Sequence, residues 1–401
     1  MRILMVTMMP PQPHSWGAIP VLLHGQLCAL RSRHKITLVT LVGNHSERQA
    51  VDDLRRSGLE VHPVERTPDT TLRRMRMAAS WLCGREPKRT IWNHEPRLQH
   101  TLNTILATRR FDLIQVEDLA LGAYTYPRST PKILTHYEVL RPRSVNWQVW
   151  RETHSVRSVV DEADWHRWRR HQADVCRRFD CIQVFSKRDA RSITRIAPDI
   201  APRVRVNPFC VQLPRAADPA RERPGSLLFV GSFLHPPNID AVTWLVEDIL
   251  PRVRAEYPDA TLTIAGADPR GRIRHLAGPN VVLTGYVEDL SLLLDEAAVL
   301  VAPVRIGGGQ RMKVLYGLGA GKAVVTTARG AEGLDAAASG SALRVAEDAD
   351  GIARATVELL RSPAERRALA CRARALVQDH YTPEAYACRA QAVYEELRCP
   401  A

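Results

Sequence analysis

Twice along this 401-residue chain, short apolar runs bounded by turn residues alternate with longer amphipathic stretches. No other feature limits the fold as much. Continuous apolar runs belong to strands buried on both faces, and amphipathic stretches between them supply the covering helices, so the pattern predicts βα units and parallel sheets. In the first series, strands are expected at Arg2–Met8, Lys35–Leu41, Leu59–Pro63, Leu113–Glu117, Lys132–His136, Cys181–Phe185 and Val204–Asn207. Helices are expected from the Pro/Gly loop over 10–17 through Leu30, and at Gln49–Ser57, Glu95–Thr108 and Asp161–Phe179. Pro214–Gly225, rich in Pro, Arg and Ala and without periodicity, reads as a linker. The second series predicts strands at Ser226–Gly231, Thr261–Gly266, Val281–Thr284, Val299–Pro303 and Ala323–Thr327. Its helices are expected at Asp240–Tyr257, Leu290–Ala297 and Gln310–Ala320, then at Ile352–Leu360, Ala364–Asp379 and Pro383–Leu397.

The fold class is therefore α/β, with two doubly wound domains. A chain of 401 residues exceeds what one core usually supports, which agrees. In open α/β sheets ligands bind outside the carboxyl ends of the strands, so two such ends facing across a cleft would make a two-substrate site. Expected domains are 1–213 and 226–380, with 381–401 as a C-terminal helix packing back on the first domain.

Composition narrows the class. Hydrophobic content of 45% and charged content of 25% are ordinary for a globular protein. The net charge of +13 is carried almost wholly by arginine, because only six of the 56 basic residues are lysines. That excess is either a solvated surface or a field that meets anionic substrates or lipid. An aromatic content of 6% and the lack of a recognised binding module argue against nucleic acid. The eight cysteines are scattered without a C-x-x-C pair, so a zinc site is not expected and reduced thiols in the cytoplasm are. No run of eighteen apolar residues is present to span a membrane. The Arg, Met, Trp and Leu residues over 71–85 form an amphipathic stretch that suits either a packed helix with a solvated face or peripheral contact with an anionic inner membrane.

The chemistry concentrates in Val301–Thr327, where a strand runs into Gly307-Gly308-Gly309 and a helix then opens with Arg311 and Lys313. Glycines permit positive φ and close backbone approach, and a helix start directs its amides and positive dipole end at an anion. Cations in a first turn oppose the dipole, so a diphosphate that offsets them is one reading. A tight turn with two surface bases is the other. Neither a P-loop nor G-x-G-x-x-G fits this segment.

This block resembles the group-1 (family 4) retaining glycosyltransferases. So do, in order, Val230–Gly266, Leu283–Gly309 and the RGAEGL run Arg329–Leu334. In the first half, FDLIQVED, KILTHYE and the stretch from Pro10 are similar as well. The resemblance implies a GT-B fold of two Rossmann-like domains, 1–213 on the acceptor side and 226–380 binding the nucleotide-sugar donor. It also implies a nucleoside-diphosphate sugar as co-substrate, a hydroxyl acceptor (glycan, lipid-linked or small natural product), and no metal or other cofactor. It places Gly17 near the donor phosphate or acceptor, and His136 at a strand end near the donor sugar. A lone histidine is otherwise more often structural. Ser232 and Asn238 occupy positions where many relatives carry a diphosphate-binding Arg and Lys, and Arg311 with Lys313 would supply that charge from the opposite loop. Tyr286 falls where relatives contact the base. Tyr316 stands where they hold the donor ribose with a Glu, and Gly308 takes the place of the other family carboxylate. Two further readings stay open: a catalytically silent relative acting as a partner protein, and a nucleotide-sugar epimerase.

Overall fold

A computed structural model describes the chain apart from residues 14, 16–17, 138, 140–155, 269, 308, 335–339 and 399–401, and apart from the side chains of 156–159. The chain divides into two compact units. The first takes in Met1–Pro13, Ile19–Asn207 and the chain from Ala387 onward; the second contains Pro208–Tyr386.

The first unit is built on seven parallel strands. They are β1 (Arg2–Thr7), β2 (Lys35–Val42), β3 (Glu60–Glu65), β4 (Leu113–Glu117), β5 (Lys132–Thr135), β6 (Cys181–Val184) and β7 (Val204–Val206). Their order is β3-β2-β1-β4-β5-β6-β7, so the chain winds outward in both directions from β1. β1 pairs with β4 from Ile3↔Leu113 to Thr7↔Glu117, which sets the ends of those two strands side by side. Leu4, Val6, Ile114, Val116 and Ile182 form the sheet side of a core that Leu98, Leu102, Trp168 and Val175 cover from helices. The last helix, Pro383–Arg398, contributes Tyr394, whose hydroxyl donates to Gln115 Oε1, and Arg389, whose Nε donates to Asn207 Oδ1 at 2.8 Å.

Six parallel strands carry the second unit: β8 (Ser226–Val230), β9 (Thr261–Ala265), β10 (Val281–Gly285), β11 (Val299–Ala302), β12 (Ala323–Thr326) and β13 (Arg344–Val345). Their order, β10-β9-β8-β11-β12-β13, reverses at β8. Successive residues of a strand point to opposite faces. Leu227 and Phe229 accordingly join one core cluster with Trp244 and Val357, while Leu228 joins another with Leu315, Leu318 and Val377. Both faces are covered, as the continuous apolar runs require.

Three departures from the sequence expectations have physical causes. The stretch 214–225 is no free linker, because it is fastened to the second unit. Buried Asp295 accepts from Arg215 and from the Asp218 amide, each at 2.7 Å, and Ala217 N–H donates to Ala320 O at 2.8 Å. The helix expected at Asp240–Tyr257 instead starts at Pro236 and is interrupted by a π turn over Leu245–Ile249. There Leu250 N–H reaches back five residues to Leu245 O, a widening that accommodates Pro251, which has no N–H to give. A helix at Lys187–Ile196, capped by Ser186 Oγ accepting from Asp189 N–H, was not expected from the sequence.

Candidate functional site

The strand order of the second unit reverses between β8 and β11, and β8 and its neighbour β9 are each followed directly by a glycine. Gly231 follows β8 and donates to Ala265 O at 2.9 Å; Gly266 follows β9 and donates to Gly285 O at 2.8 Å. Backbones approach so closely here that a Cβ on Gly266, at φ +148°, would lie 1.8 Å from Gly231 O. Gly307 and Gly309 also hold positive φ, +97° and +79°, in the loop after β11. Gly308 lies outside the described residues, as does Gly17.

Two cations and an amide converge on this corner. Arg311 is the N-cap of the helix Met312–Gly319, and its Nη2 donates to Ile306 O at 3.3 Å, within the same loop. Lys313 Nζ donates to Asn238 Oδ1 at 2.6 Å and lies 4.2 Å from the centre of the Phe229 ring. Asn238 Nδ2 in turn donates to Ser232 O at 2.8 Å. Sequence-distant positions are thereby brought together: Ser232 and Asn238 from the β8 side, Gly307, Gly309, Arg311 and Lys313 from the β11 side. Burial, followed by the charge of Arg311, pushes the Lys313 ammonium down to about 7. An ammonium held there gains most from an anion, which would restore its charge.

Two buried polar atoms at the same corner make no hydrogen bond among the described residues: Ser232 Oγ and Gln310 Nε2. Buried polar groups are nearly always satisfied, so a pair of them beside two cations suits a ligand rich in acceptor oxygens. Gln310 is held in place because its Oε1 accepts from Phe209 N–H at 2.6 Å.

The remaining expected residues are placed differently. Tyr286 follows β10 and is 45% exposed. Tyr316 is half-buried on the helix Met312–Gly319, and burial, with a smaller contribution from Asp289, raises its phenol above the usual range. His136 belongs to the first unit and is buried after β5. In the orientation that satisfies its neighbours, the Gln172 amide donates to His136 Nε2 and Val139 O and accepts from Trp168 Nε1. Two site residues escaped the sequence reading. Arg329 Nη1 donates to Gly307 O at 2.8 Å and braces the glycine loop; its only sequence signal is its place in RGAEGL. Gly231 has a contact role, since a Cβ there would lie 2.8 Å from Lys313 Nζ. No group of His, Cys, Asp or Glu able to hold a metal ion occurs among the described residues.

Two doubly wound parallel sheets of this kind form the GT-B fold of the glycosyltransferases. The structure is similar to sucrose-phosphate synthase from Thermosynechococcus elongatus, with a TM-score of 0.67 and 16% identity over 99% of each chain. Anabaena HepE in complex with UDP and glucose matches with a TM-score of 0.63 and 12% identity, covering 97% of this chain and 98% of that one. A variant of S. aureus TarM in complex with fondaparinux, α-GlcNAc-glycerol and UDP gives a TM-score of 0.66 at 8% identity, covering 98% and 100%.

Residues 224–362, within the second unit, match the family model described as Glycosyl transferases group 1. An uncharacterised 44.6 kDa protein in the cps region of Klebsiella pneumoniae is 26% identical over 165 residues, 39% of this chain. The match takes in 42% of that relative, less than half its length.

Proposed function

We propose that this chain is a retaining, metal-independent glycosyltransferase of the family 4 branch, moving a sugar from a nucleoside-diphosphate sugar to a hydroxyl acceptor in the cytoplasm. The observation that carries the reading is the meeting of Arg311, Lys313 and Asn238 with a glycine loop where the strand order of the second unit reverses. Such a corner is where α/β sheets bind ligands, and its charge and amides suit a diphosphate.

In this mechanism Arg311 and Lys313 lie against the diphosphate and take up the negative charge that builds as the bond from the anomeric carbon to phosphate oxygen breaks. The acceptor oxygen attacks the anomeric carbon from the face the diphosphate leaves, and its proton passes to a leaving phosphate oxygen. Configuration is kept, and no side-chain nucleophile is needed. Tyr316 offers one hydroxyl to the ribose, and Tyr286 takes the base side. Burial of His136 against Trp168 and Gln172 favours its structural alternative, so the chemistry rests on the two cations.

Thermal unfolding with UDP, GDP, dTDP and ADP tests the reading. One nucleotide should raise the midpoint by several degrees, as ligand linkage requires. If none of the four shifts it, and calorimetry detects no binding, the silent-relative reading wins instead. Acceptor-dependent release of the nucleoside diphosphate separates a transferase from an epimerase.

The helix Thr71–Cys83 supports a second contact, with an anionic membrane face. It has no buried residue, and Leu72, Met75 and Leu82 project from one side of it near Arg76. No helix among the described residues is long and apolar enough to cross a bilayer, so contact would be peripheral. Sedimentation with phosphatidylglycerol vesicles that weakens in salt is the expected result; the absence of any binding would remove the contact.

A further inference from the structure

The turn after β12 carries the run RGAEGL, and the donor reading uses only its arginine, as a brace. The whole turn is built onto the glycine loop. Thr326 Oγ1 donates to Ala302 O at 2.6 Å, and Thr327 Oγ1 donates to Val304 O while accepting from Gly330 N–H at 3.0 Å. Gly330 is pressed so close that a Cβ on it would lie 1.8 Å from Thr326 Oγ1. Gly333, at φ +86°, passes Gln310 so tightly that a Cβ would lie 2.8 Å from Gln310 Cβ. Arg329 adds its bond to Gly307 O. The two segments are adjacent walls of one corner.

The hydrogen-bonding groups gathered at that corner are mostly donors: Arg311, Lys313, Gln310 Nε2 and loop amides. They suit phosphate oxygens. A sugar ring is different, because each hydroxyl donates as well as accepts. Its recognition calls for an acceptor, and an ionised carboxylate is the strongest available.

Most carboxylates on this end of the second sheet are spent on the protein itself. Asp240 holds Arg305 through contacts of 2.8 and 3.2 Å. Asp268 accepts from the Arg272 and Ile273 amides at 2.9 and 3.0 Å, and Asp289 accepts from Ser291 N–H at 2.9 Å. Glu332 differs in place. It is the carboxylate of the RGAEGL turn, half-buried, with Oε1 shielded from solvent. Its neighbour Gly333 touches Gln310, so the carboxyl is within a side chain's reach of the glycine loop.

We propose that Glu332 is a specificity-determining residue that accepts a hydrogen bond from a hydroxyl of the donor sugar. The inference rests on the transferase reading and deepens it: a diphosphate held by the glycine loop leaves the attached ring beside this turn. A site built to accept from a hydroxyl rejects analogues that lack it, which is how Glu332 would select the sugar.

Calorimetry on the full chain tests the inference with UDP, GDP, dTDP and ADP, each beside UDP-glucose, GDP-mannose, dTDP-glucose or ADP-glucose. In Glu332→Gln the affinity for the nucleotide sugar should fall about tenfold, the scale of a hydrogen bond to a charged group, while affinity for the matching free nucleoside diphosphate stays unchanged. Analogues of that nucleotide sugar with fluorine in place of the C2, C3, C4 or C6 hydroxyl identify the contact, since fluorine cannot donate. One of them should bind the wild-type chain as weakly as the parent sugar binds Glu332→Gln, and the two losses should not add. Should Glu332→Gln melt far below the parent, Glu332→Asp and the fluorinated series on the wild-type chain decide. Full affinity for every fluorinated analogue overturns the proposal, as does an equal loss of sugar-bearing and free nucleotide in the variant. Nucleotide-sugar binding that Glu332→Gln leaves intact sinks this inference alone; failure of every nucleotide to bind the wild-type chain sinks the donor reading beneath it.

Discussion

Lys313 Nζ donates to Asn238 Oδ1 at 2.6 Å, joining the helix after the glycine loop to the helix that follows β8. Seventy-five positions separate the two residues, and the pairing fixes where an ammonium of depressed pKa sits.

Arg311→Ala should lower turnover about a hundredfold, the scale set by removing one charge-stabilising group from a transition state. Its thermal midpoint should stay near that of the parent. Acceptor-dependent release of the nucleoside diphosphate from its sugar donor measures the first quantity. Turnover close to wild type would reject Arg311 as the group that takes up phosphate charge.

Lys313 titrates at about 7 in the folded chain against 10.5 for an ordinary lysine, so its charged form is scarce in the free protein above neutrality. The nucleoside-diphosphate sugar, whose diphosphate does not titrate in this range, should therefore bind about tenfold more weakly at pH 9 than at pH 6.5. Lys313→Gln should flatten that dependence. The stability consequence has the opposite sign. Between about 7 and 10.5 the unfolded chain holds the proton that the folded chain has released, so stability of the ligand-free protein gains with rising pH relative to Lys313→Gln. Parallel calorimetric titrations and denaturant melts check both.

Gly231→Ala would place a Cβ 2.8 Å from Lys313 Nζ and 3.0 Å from Asn238 Cγ. The lysine can move aside, so the expected loss is several-fold in nucleotide-sugar affinity with little change in midpoint. Gly266→Ala meets backbone instead, 1.8 Å from Gly231 O at φ +148°. That variant should lose about 3 kcal/mol of stability or more. Equal stability of the two variants would contradict the close approach of the β8 and β9 ends.

Tyr316→Phe should weaken nucleoside-diphosphate binding about fivefold, the worth of one neutral hydrogen bond of about 1 kcal/mol. Unchanged affinity would show that the hydroxyl does not reach the ribose.

At Asp118 two truncations can be compared, since each removes the carboxylate that holds Arg89. Only glycine relieves φ +124°. Asp118→Gly should therefore be more stable than Asp118→Ala by about 1 kcal/mol. The reverse order in chemical denaturation would mean that the residue is not strained.

Much of this is legible in the sequence. The run Leu113–Glu117 located β4 to the residue although it buries Gln115 and Glu117, and apolar runs located most other strands to within one or two, because strands buried on both faces are predominantly apolar. The glycines before Arg311 and Lys313 were visible for a related reason: positive φ selects glycine, and charge in a helix start is conspicuous. The short β13 and the π turn before Pro251 were not visible, since two residues carry no period and a local widening leaves none.

Local sequence determined which segments become strand, helix or glycine turn, because those preferences act within a few residues. Only the tertiary structure decided that Asn238 receives Lys313, that Arg329 braces Gly307, that 214–225 is fastened by Asp295, and that Gly333 packs against Gln310. Each of those meetings follows from the order in which parallel strands pair. That order is set by burying two faces of a sheet at once, a cooperative choice that no short window of residues contains.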